Sequence, residues 1–190
     1  GHSHLNTVAD ANNVSIGIVA PDGRDGMIQH ATQFAAANIP FIFDPGQGLP
    51  MFGGEDLRNF IGQATWVTVN DYEWSLMSER TGWDEADVSE KVAALIVTHG
   101  GNGSTVYTAG GKLDIPPAPA RSVVDPTGCG DAYRAGLLLA LAKGLPLMQG
   151  AQLGSVLGSI KIAVQGCQNH KPTRAENRTR YESHHGARPL

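Results

Sequence analysis

The chain has 190 residues, 41% of them hydrophobic and 17% charged, with a formal net charge of -4. That length suits one compact domain or an incomplete part of a larger one. No apolar run reaches the roughly 18 residues of a membrane span, and basic residues scattered until the tail give no footprint for a nucleic-acid backbone, so a membrane or nucleic-acid partner is not expected.

Residues 1–13 read as an N-terminal segment or a cloning scar, without the positive start and apolar stretch of a secretory signal. Residues 14–19 predict a short buried strand. Met27, Ile28, Ala31, Phe34 and Ala35 then recur at helical spacing, predicting a helix over 24–38. Phe41-Ile42-Phe43 is a second apolar strand, ending in the turn cluster Asp44-Pro45-Gly46. Further on, 65–69 predict a strand, 71–80 a helix stopped by Gly82, 88–93 a short helix and 94–98 a strand. His99-Gly100-Gly101-Asn102-Gly103 separates that strand from 104–108 as a hairpin or tight turn. Short strands are expected over 112–115 and 122–124, joined by an extended Pro-rich connector. Helices follow at 130–143, capped by Gly144, then at 147–164 and 176–182, the last inside a C-terminal tail over 171–190. The alternation argues an α/β fold with a mainly parallel sheet flanked by helices.

The strongest chemical signal is Asp125-Pro126-Thr127-Gly128-Cys129-Gly130-Asp131, which reads as a strand delivering a Gly-rich turn to a helix start. Unpaired amides and the helix dipole make such a corner an anion site, with Gly128, Cys129 and Gly130 as the cradle. Asp131 would stand where a carboxylate can take the proton of an attacking hydroxyl; an ordinary turn with an Asp stabilising a helix start also explains the bare pattern. Asn70-Asp71-Tyr72-Glu73 follows a strand, and Glu73 suits Mg²⁺ held directly or through water, while Asn70 and Glu73 also match a capping box. Thr98, Gly100 and Gly103 suit a loop that wraps phosphates or a plain glycine turn; no P-loop pattern is present.

Cys129 and Cys167 are the only cysteines and form no Cys-x-x-Cys pair, which points to a reducing, cytoplasmic setting. Cys129 sits where amides point, favouring a more acidic thiol, although a small filler is the simpler role. The histidines share no metal-ligand spacing, so no zinc site is expected.

Taken together, Asn-x-x-Glu, Val-Thr-x-Gly-x-x-Gly and Asp-x-Thr-Gly-x-Gly-Asp before a small-residue helix resemble the ribokinase-like (PfkB) carbohydrate kinase family, over about residues 14–170. The resemblance implies an ATP- and Mg²⁺-dependent kinase that phosphorylates a hydroxymethyl group by direct in-line transfer. Adenosine is the first expectation for the acceptor and ribose or another sugar the second; a catalytically inactive nucleotide-binding module is the alternative from another class. By the resemblance Asp131 is the catalytic base, and Gly128, Cys129 and Gly130 form the anion hole. Thr98, Gly100, Gly103 and Thr127 bind the nucleotide, Asn70 and Glu73 organise Mg²⁺ and phosphate, and residues near 160–169 contribute to an adenine pocket. Cys129 stands where the family more often has Ala. Members run to about 300 residues by the same resemblance, so 1–190 reads as a single incomplete kinase domain without the N-terminal part of the fold and the lid.

Overall fold

In the computed structural model, which describes residues 13–186, Phe41, Ile42 and Phe43 expose no surface, as a strand covered on both faces requires. They form β2 (Phe41–Phe43) of a sheet that also contains β1 (Gly17–Val19), β3 (Trp66–Asn70), β4 (Ala94–Thr98), β5 (Ser104–Thr108) and β6 (Gly111–Ile115). The strands lie side by side in chain order. β1 to β4 are parallel, with Gly17 opposite Phe41, Ile42 opposite Trp66 and Trp66 opposite Ala94. Parallel neighbours need a crossover of a dozen or more residues, so the short links 99–103 and Ala109-Gly110 make β5 and β6 antiparallel additions. The fold is the expected α/β architecture with a mainly parallel sheet.

Helices α1 (Arg24–Ala36), α2 (Gly54–Gln63), α3 (Asp71–Thr81) and α4 (Glu85–Ser89) fill the crossovers. Successive right-handed crossovers stepping in one direction place these connections on one face of the sheet. A second set, α5 (Cys129–Ala142), α6 (Leu147–Lys161) and α7 (Arg174–His185), follows β6. Among the described residues no helix is long and apolar enough to cross a membrane.

Several expectations need correction. The strand at 14–19 shortens to Gly17–Val19. The short helix at 88–93 lies instead at Glu85–Ser89, because Asp84 caps it by accepting the Asp87 amide at 2.9 Å. No strand forms over 122–124. Val123 and Val124 are exposed there, and the Val124 amide donates to the Ile162 carbonyl at 2.8 Å rather than to a sheet neighbour. α6 ends at Lys161, short of 164, and α7 is longer than expected. Helix α2 was not foreseen, although Leu57, Phe60 and Ile61 carry the spacing of a buried face.

The chain groups into two compact units. The first runs up to Gly100 and includes Thr105–Leu113. Its core gathers Phe43, Phe52, Leu57, Phe60, Met77 and Leu95 among others, with Phe43 and Phe60 stacked at 4.4 Å between ring centres. The second comprises Gly101–Ser104 and Asp114 onward. There Ala118, Leu153, Val156 and Tyr181 form a core, and α5 meets α6 with almost no side chain between: a Cβ on Gly136 would stand 2.5 Å from the Gly154 nitrogen. Two helices touching backbone to backbone hold their ends in a defined place, including the N-terminus of α5.

Candidate functional site

In an open α/β sheet, ligands collect at the carboxyl ends of the parallel strands. In the first unit those ends carry Asp44, Asn70 and Thr98. Asp44 is buried, its amide donating to the Val19 carbonyl at 2.9 Å. Asn70 and Thr98 stand opposite each other in the β3–β4 register, so the pairing itself brings these two expected site residues together. The Asn70 side chain accepts the Glu73 amide at 2.8 Å, and Glu73 Oε2 accepts the Asn70 amide at 2.9 Å. This is the reciprocal capping box of α3. The Thr98 hydroxyl lies 3.4 Å from the Val69 carbonyl.

The turn after β4 needs its glycines. Gly100 has φ +56° and Gly103 φ +93°, a region that side chains disfavour. In the second unit a Cβ on Gly103 would stand 2.1 Å from the Ile115 carbonyl oxygen. His99, absent from the expected site, bonds through Nδ1 to the Asp71 carboxylate and lies with Nε2 3.0 Å from the Thr105 hydroxyl. It thereby links the start of α3 to the β4–β5 hairpin within the first unit.

The remaining expected residues belong to the second unit. Gly128 is the N-cap of α5 with φ +84° and ψ +4°, which turns the chain abruptly into the helix. The Cys129 amide donates to the Pro126 carbonyl at 3.1 Å, leaving Gly130 and Asp131 as first-turn N–H donors without a helical partner. Asp131 projects from that turn with its side chain 82% exposed, 3.5 Å from the Arg134 guanidinium. Arg134 lies across Gly130, where a Cβ would meet its Nη1 at 2.5 Å. The corner thus sets amide donors, a guanidinium and an accessible carboxylate at one helix start, an arrangement able to receive an anion and to take up a proton beside it.

The corner is held from beneath. Asp125 is buried, and its carboxylate accepts from the Thr127 amide at 2.9 Å, the Gly166 amide at 2.8 Å and Gln165 Nε2 at 3.1 Å. The amide and hydroxyl of Thr127, the Gly166 amide and the Lys161 charge outweigh burial and hold its pKa down at about 2. Lys161, fully buried, donates to the Asp125 carbonyl at 2.8 Å and to the Val164 carbonyl at 3.1 Å. The expected acidic thiol is not found: burial pushes the Cys129 pKa up, and the Lys161 charge opposes this only in part.

For Mg²⁺ the donor chemistry fits. Magnesium is held by one or two carboxylates with waters and substrate phosphates rather than by an all-protein cage. Among the described residues no cluster of three or more His, Cys, Asp or Glu could hold a metal, whereas Glu73 has Oε2 engaged by Asn70 and a second carboxylate oxygen available.

Lys161, Gln165 and Gly166, which fall in the stretch 160–169, and Arg134, His99 and Asp71 were given no individual role by the motif reading. The signal for Lys161 was present: it is the one charged residue in 147–164.

The pfkB family carbohydrate kinase model matches residues 3–174. A nucleoside kinase of Methanocaldococcus jannaschii is 39% identical over 150 residues, 79% of this chain and 50% of the relative. A ribokinase of Bacillus subtilis is 30% identical over 143 residues, 73% of this chain and 45% of the relative. The solved structure of Burkholderia thailandensis nucleoside kinase in complex with ADP-inosine superposes with a TM-score of 0.94 at 46% identity, covering 98% of this chain and 58% of that one. The chain therefore spans half or slightly less of the length of these two curated relatives.

Proposed function

The chain belongs to the pfkB carbohydrate kinase family, and from that premise we propose that it carries the phosphate-handling part of an ATP-dependent nucleoside kinase, with Asp131 as the base. The observation that carries this reading is the open carboxylate of Asp131 on the first turn of α5, directly behind the left-handed Gly128. The acceptor is a purine nucleoside, adenosine or inosine. The nucleoside kinase neighbour with bound ADP and inosine supports that choice, and the 30% identity to a ribokinase makes ribose the second choice.

In the proposed reaction the acceptor's hydroxymethyl oxygen attacks the terminal phosphorus of ATP in line, and the bond to the bridging oxygen of ADP breaks. Asp131 accepts the hydroxyl proton as the new P–O bond forms. The Gly130 and Asp131 amides and the positive end of α5 stabilise the charge on the transferring phosphoryl oxygens. Thr98, Gly100, Gly103 and Thr127 are the nucleotide-binding residues of this reading, and Asn70 with Glu73 would hold Mg²⁺, directly or through water. Magnesium, when bound, neutralises charge on the phosphate oxygens.

The test is turnover of adenosine, inosine and ribose with ATP and Mg²⁺ by the protein and by Asp131→Asn. The substitution is expected to lower kcat by about 100- to 10,000-fold while ADP still binds. Undiminished turnover removes Asp131 as the base, and ADP binding without phosphorylation of any acceptor favours an inactive nucleotide-binding module.

A further inference from the structure

We infer that Lys161 is a built-in cation that braces the Asp125–Asp131 corner from below and acts as a positioning residue for the phosphate it receives. A lysine with no exposed surface is unusual, because a buried ammonium is costly unless it is paired. Lys161 reaches this position from the last residue of α6, and both of its recorded partners are backbone carbonyls, of Asp125 and of Val164. The two carbonyls belong to the two segments that build the corner. The same segments are also tied by the Val124 and Asp125 amides, which donate to the Ile162 carbonyl at 2.8 and 3.1 Å, and by the Gln165 and Gly166 donors to the Asp125 carboxylate.

Besides orienting main-chain dipoles, the Lys161 charge favours the ionised form of Asp125, as the smallest of several influences on that group. Its stem also lies against Gly128, since a Cβ there would stand 3.5 Å from Lys161 Cε and 3.4 Å from Cys167 Cα. The left-handed residue that aims the α5 amides is therefore supported on one side by the lysine stem. A packing role and a charge role make different demands: methionine fills the volume of the stem, but it cannot donate to the Asp125 and Val164 carbonyls.

This inference rests on reading the corner as a phosphate site, so its test has one measurement that needs no nucleotide. Hydrogen exchange of the amides over 124–131 in the ligand-free chain is expected to rise about tenfold or more in Lys161→Met, with the exposed Lys171→Met as control. ADP affinity, measured by calorimetry, is expected to fall at least about tenfold in Lys161→Met. In Lys161→Ala, ammonium or methylammonium ions are expected to restore both properties, because they supply charge where the side chain left space. Should Lys161→Met fail to fold, the alanine variant with and without added ammonium decides. Exchange over 124–131 equal to that of the parent in Lys161→Met, or an alanine variant that no ammonium ion rescues, overturns the brace. A parent chain that binds no ADP while Lys161→Met still loosens the corner sinks the phosphate reading and leaves the brace standing.

Discussion

Asp125 and Asp131 bracket the same corner and occupy opposite environments. Asp131 is open to solvent beside Arg134, whereas Asp125 is sealed under amide donors and near Lys161. The shift of Asp125 from its ordinary 3.8 to about 2 has a definite sign. Between those values the unfolded chain binds more protons than the folded one, so stability rises with pH. The contribution is complete above 3.8 and is lost as pH falls toward about 2. Asp125→Asn is expected to flatten the pH dependence of urea midpoints across that window, and an unchanged slope would count against the hydrogen-bond account. The motif showed that an Asp precedes the glycine corner. It could not show that this Asp is structural, because its partners Gln165 and Gly166 lie far along the chain and converge on it only through the fold.

At the start of α3, the Asn70–Glu73 box illustrates a residue pair with two concurrent uses. The capping role is visible in reciprocal bonds at 2.8 and 2.9 Å. Asn70→Ala is expected to lower stability by about 1 kcal/mol, read from a denaturant midpoint, and it tests the cap independently of any magnesium. Helices with an end signal in sequence, such as α3 between Asn70 and Gly82, were legible almost to the residue. α2 was not, since its N-cap is Gly53, which offers no side-chain acceptor, and its start depends on Asp56 reaching back to the Gly53 amide at 3.3 Å. The absent strand at 122–124 failed for a different reason: Val123 and Val124 have strand propensity, but the Val124 amide bonds to the Ile162 carbonyl in place of a ladder partner.

The optical probes are unevenly distributed between the two units. Trp66, Trp74 and Trp83, the only tryptophans, all fall in the first unit, whereas Asp125 and helices α5 to α7 fall in the second. Acidification from 3.8 toward about 2, the window over which the stabilising contribution of Asp125 is lost, is therefore expected to reduce the far-ultraviolet helix signal before tryptophan emission moves. Simultaneous changes in both signals would overturn that expectation. Chain-order placement of the strands, from β1 to β6 without a reversal, has a consequence for synthesis. From β2 onward a ribosome releases each described strand after one of its neighbours has emerged, so the sheet can grow by addition at a single advancing side. Among the described strands each waits only for the next one in the chain, so the interval during which an apolar segment such as Phe41-Ile42-Phe43 is open to the wrong partner is kept short.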